Sequence, residues 1–163
     1  MKVAQAMVIA ILLAGLVSAQ APQKAKEDNV AEILNVVGNL ARMASTNRFT
    51  SAAENPDQVT RERIHRDVEQ IRELEGLVTL AQICWAIRGS ESAEDASYDR
   101  VFITAFWHCV KLLSDNTSDE AVTALGSLHH LTRPQAGYER WFSEALAHQK
   151  AKRAEERVRI RRP

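Results

Sequence analysis

The chain has 163 residues, 21 of them basic and 21 acidic, so no global charge draws it toward nucleic acid or a membrane. Six glycines and four prolines are few for an all-β domain with its many tight turns, and the composition predicts helices. Two cysteines allow at most one intrachain disulfide.

At the N-terminus, Lys2 precedes an apolar run from Ala6 to Val17, and Val17-Ser18-Ala19 places small and apolar residues ahead of Gln20. Charged, apolar and small segments in that order form the pattern of a cleavable secretory signal over residues 1–19. The run is too short for a spanning anchor, and no cysteine follows it to carry a lipid. The expectation is a periplasmic or extracellular protein cut after Ala19, with no transmembrane segment in the mature chain.

Residues 20–28 read as a flexible leader. Val30, Ile33, Leu34, Val37, Leu40, Ala41 and Ala44 then recur at helical spacing and predict a helix from about Asp28, with Asp28 or Asn29 as its cap. Residues 45–57 read as a loop in which Asn55-Pro56 marks a turn. Asp57 can cap a second helix along Val59, Ile64, Val68, Ile71 and Leu74. Gly76 either kinks this helix or is absorbed in one rod to Arg88, since glycine costs only about 1 kcal/mol relative to alanine.

Gly89 ends that segment, and Ser92 with Asp95 has the spacing of a capping box. Tyr98 to Leu113 is the most apolar stretch after the signal. Its length and its Ala105/Cys109/Leu113 spacing assign it to a buried helix rather than a strand. Thr117 with Glu120 forms a second capping box, opening a helix with Ala121, Leu125, Leu128 and Leu131. Arg133-Pro134 interrupts, and the last helix carries Tyr138, Trp141, Phe142, Ala145 and Leu146 before its apolar face ends near His148. The fold expected is all-α, a compact bundle of five or six helices over residues 29–149, with a basic tail at 150–163. Its core is expected to include Leu77, Leu80, Phe102, Phe106, Leu125, Leu128 and Trp141.

Chemistry is harder to find. The sequence holds no G-x-S-x-G, H-E-x-x-H, P-loop or dinucleotide fingerprint, and no C-x-x-C-H for covalent heme. No catalytic residue, cofactor or metal is therefore expected. Of the five histidines, His129 and His130 are adjacent and point about 100° apart on a helix, which is poor geometry for one ion. Cys84 and Cys109 are candidates for a disulfide: an oxidising compartment favours the bond, whereas a simple antiparallel helical hairpin would hold them too far apart. The tail holds Lys150, Lys152, Arg153, Arg157, Arg159, Arg161 and Arg162 against only Glu155 and Glu156. Such a cluster suits the dipole of a helix C-terminus, and it can also hold an anionic partner such as a membrane surface, a wall polymer or an acidic protein.

Leu131-Thr132-Arg133-Pro134-Gln135 resembles the L-T-x-x-Q pattern of the Spy-type periplasmic chaperones, which are small helical proteins with signal peptides and charged tails. The resemblance implies a chaperone or stress protein. Those proteins usually carry the pattern twice, on a cradle without cysteine and poor in aromatics; here it occurs once, beside Trp85, Trp107, Trp141 and two cysteines. A threonine cap with glutamine three residues on gives the same spacing. The function expected is that of an exported small helical protein that binds a partner, a protein or an anionic surface, without catalysis. Alternatives are a Spy-like chaperone, a periplasmic immunity protein against a toxin, and an enzyme with a dispersed histidine and carboxylate site.

Overall fold

The computed structural model describes residues 23–46, 56–88, 96–132 and 136–160, which are all-helical, with no strand among them. Six helices follow in order: α1 (Gln23–Thr46), α2 (Gln58–Val68), α3 (Leu74–Arg88), α4 (Ala96–Asp115), α5 (Asp119–Thr132) and α6 (Ala136–Ile160). The signal pattern at 1–19, the Ser92/Asp95 spacing and residues 133–135 of the L-T-x-x-Q match lie outside the described residues. The chain divides into two units, Met1–His108 and Cys109–Pro163, the boundary falling within α4.

In the first unit α1 buries Ile33, Val36, Val37, Leu40, Met43 and Ala44, a single stripe at three- and four-residue spacing. It starts at Gln23 inside the expected leader, because the Gln-Lys-Ala-Lys-Glu run is made of good helix formers. At its other end the Ser45 and Thr46 hydroxyls donate to the Arg42 carbonyl. This helix packs on α2 and α3.

Asp57 caps α2, its carboxylate accepting the Thr60 N–H at 2.7 Å. That bond holds the Asp57 carboxyl below the usual carboxylate range. The second helix then ends sooner than its apolar stripe predicts. Gln70 N–H bonds to the Asp67 carbonyl and Ile71 N–H to the Val68 carbonyl, tightening the last turn, and Ile71 is buried within the bend.

The break thus lies at residues 69–73, before Gly76, and Gly76 stands in the first turn of α3. A Cβ there would meet Asn29 Oδ1 at 2.5 Å and Ile71 Cγ2 at 2.8 Å. Glycine is needed at this position for the close approach of α1, not to interrupt a helix. Leu77, Leu80, Ala81, Ile83 and Cys84 of α3 are buried, as are Val101, Phe102, Ala105 and Phe106 of α4. The Trp85 and Phe106 rings lie 5.0 Å apart at 45°. Each large side chain so buried contributes roughly 1.5–3 kcal/mol.

The second unit has its own apolar set: Cys109, Val110 and Leu113 of α4, Ala121, Leu125 and Leu128 of α5, and Phe142 of α6. The helices α5 and α6 pack together. The cap of α5 is Ser118 rather than the expected Thr117: its hydroxyl accepts the Ala121 N–H at 3.1 Å, and its own N–H donates to Asn116 Oδ1 at 2.9 Å. Trp141, expected in the core, is 52% exposed while its neighbour Phe142 is fully buried. The inward face of α6 runs through Phe142 and Gln149, seven residues apart, and places Trp141 about 100° away from it.

Candidate functional site

The basic segment is not a separate tail. Residues 150–160 of it belong to the second half of α6, which stays helical to Ile160 and divides its cations into two groups.

One group is committed to the protein. The last turn of α4 ends with carbonyls that lack intrahelical partners, and side chains of α6 supply them. Gln149, 2% exposed, donates its amide to the carbonyls of Leu113 and Asn116, each at 2.9 Å. Lys152 Nζ donates to the Asp115 carbonyl at 2.7 Å and lies 3.5 Å from its carboxylate. His148 Nε2 stands 2.9 Å from the same carboxylate, and Arg153 pairs with Asp119 in the first turn of α5. Positive charge at the C-terminus of α4 is the favourable arrangement for its dipole. The His148 hydrogen bond first, and the Lys152 charge after it, hold the Asp115 carboxyl below its ordinary range.

The other group faces solvent. Lys150, Arg157 and Arg159 are exposed and make no ion pair among the described residues, and every residue from Ala154 to Ile160 is exposed. Two of these are large and apolar, Val158 at 55% and Ile160 at 83% exposure. Arg161 and Arg162 lie outside the described residues.

The cysteines and histidines are placed elsewhere. Cys84 of α3 and Cys109 of α4 are both buried thiols. Burial pushes the Cys109 thiol up to about 12, far from the thiolate that a nucleophile needs. His65 and His108 stack with ring centroids 3.8 Å apart and planes within 5°, and His108 Nε2 lies 3.0 Å from Glu69 Oε1. Parallel rings direct their lone pairs along parallel lines rather than onto one ion. No group of three or more histidine, cysteine or carboxylate side chains suited to a metal occurs among the described residues. His129 pairs with Glu139 at 3.2 Å. Three of the histidines, His108, His129 and His148, thus have carboxylate partners. In the sequence neither Gln149 nor the His65–His108 stack carries a signal, since both depend on contacts between residues more than thirty positions apart.

Comparison with protein-family models, with curated proteins and with solved structures finds no match. No helix among the described residues is long and apolar enough to cross a membrane.

Proposed function

We propose that this chain is an exported helical protein that acts by binding an anionic partner through the outer end of α6, without catalysis of its own. One observation carries the reading. The protein as a whole is balanced, 21 charges against 21, yet the end of α6 presents Lys150, Arg157 and Arg159 to solvent after Lys152 and Arg153 have been used internally. Cations kept out of internal pairs are available to an external anion. The N-terminal pattern over residues 1–19 supports an encounter outside the cytoplasm, away from nucleic acid.

Retention on an immobilised polyanion, eluted with salt, tests the binding. Changing Arg157→Glu with Arg159→Glu should shift elution to markedly lower salt at unchanged helix content. Unaltered retention would remove the basis of the proposal. Export is tested separately by N-terminal sequencing of protein recovered outside the cytoplasm, which should begin at Gln20; a chain still carrying residues 1–19 would refute cleavage.

A further inference from the structure

We infer that the end of α6 seats on an anionic lipid surface, with its cations at the headgroups and Val158 and Ile160 in the apolar layer beneath. The inference rests on the anion-binding reading and narrows it to one class of partner. Helical geometry sorts the side chains. Lys150 and Arg157 are seven residues apart and share a stripe to within about 20°. Val158 and Ile160 flank that stripe, one on each side and each within about 100° of it, whereas Glu155 and Glu156 both fall farther round. The resulting face holds cations and apolar groups without a carboxylate.

The two apolar side chains separate a lipid surface from an acidic protein or a soluble polymer. Charge alone suffices to hold a polyanion, and it leaves Val158 and Ile160 as exposed as they are now, at 55% and 83%. An anionic bilayer supplies a plane of negative headgroups directly above a layer that takes up apolar side chains. Arginine suits that boundary, since its stem lies along apolar surface while its guanidinium stays at the headgroups.

Vesicle sedimentation tests this with the chain beginning at Gln20, which keeps every described helix and removes the apolar run at 6–17 that would itself bind lipid. Vesicles of phosphatidylcholine alone are compared with vesicles in which about a third is phosphatidylglycerol, and soluble polyglutamate is the lipid-free anion. The expected result is binding to the anionic vesicles only, weakened by salt. It should fall about fivefold in Arg157→Gln, and change far less in Arg159→Gln, because Arg159 lies about 160° round the helix from Arg157, between Glu155 and Glu156. It should fall about tenfold in Val158→Ser with Ile160→Ser, in which no charge changes. Circular dichroism of each variant confirms that α6 is retained. Binding to polyglutamate without binding to anionic vesicles, or vesicle binding indifferent to the serine pair, overturns the lipid inference and leaves anion binding standing. Equal binding to phosphatidylcholine overturns it as well, and binding to neither anion overturns both readings.

Discussion

Replacing Gln149 by leucine removes the one side-chain amide that joins α6 to the two carbonyls at the end of α4. The side chain is 2% exposed and of similar size to leucine, so the substitution changes hydrogen bonding far more than volume. Its amide serves two carbonyls, those of Leu113 and Asn116. The Leu113 carbonyl also accepts the Asn116 N–H at 3.2 Å and so keeps one partner, whereas the Asn116 carbonyl loses the bond from α6. A lost neutral hydrogen bond costs about 0.5–1.5 kcal/mol, and because Asn116 is exposed, water can take over its carbonyl. Leucine regains part of the loss through apolar burial, and the net loss should be about 1 kcal/mol. At this chain length that corresponds to a fall in Tm of roughly 2–4 °C. Urea titration with a fitted m-value measures it directly. A loss under about 0.5 kcal/mol, or a gain, would refute the claim that this amide fixes the middle of α6 to the end of α4. Gln149→Glu sharpens the test, because a carboxylate facing two carbonyls is repelled when ionised. Its pKa should be raised in the folded state, so this variant should gain stability as pH falls and lose it as pH rises through that value.

Gly76→Ala should destabilise by about 1–3 kcal/mol despite the better helix propensity of alanine, because the new Cβ meets Asn29 and Ile71. The loss should shrink when Asn29→Ala is added; a stabilised Gly76→Ala would show that the approach of α1 is not close. Asp115 has a lowered pKa, so its contribution is complete above the unfolded value and is lost as pH falls through the folded one. Asp115→Asn should therefore be less stable than the parent at neutral pH, by under about 1 kcal/mol for so exposed a pair, with the difference vanishing in strong acid. A difference that persists there in thermal melts would place its cause outside the carboxylate.

Much of the fold was legible because burial follows periodicity. The stripe from Ile33 to Ala44 marks α1 without ambiguity, and Asp57 announces the start of α2 through a bond within its own first turn. The bend at residues 69–73 was not legible. Val68, Ile71 and Leu74 continue the helical spacing straight across it, and Ile71 is buried there by a turn that periodicity cannot distinguish from helix. Gly76 drew attention as a break when its significance is steric, a matter of what stands opposite it in α1. Trp141 and Phe142 show a related limit: two adjacent aromatics fit either register, and only the packing of α5 against α6 selects Phe142.

The basic segment is where composition misleads most. Seven cations in the last fourteen residues read as one patch, but a cation already paired with a carboxylate contributes little to an external field. Lys152 with Asp115 and Arg153 with Asp119 are such pairs, and both acids precede their partners by more than thirty residues, so no local charge count subtracts them. What remains is smaller and more directional: Lys150 and Arg157 on one stripe, bracketed by Val158 and Ile160, with Arg159 on the opposite side beside Glu155 and Glu156. Gln149 and Lys152 set that direction by fixing the rotation of α6 about its axis. Internal bonding and external binding are therefore linked along one helix. A substitution at Gln149 that loosened the rotation should weaken anion binding without touching any exposed cation.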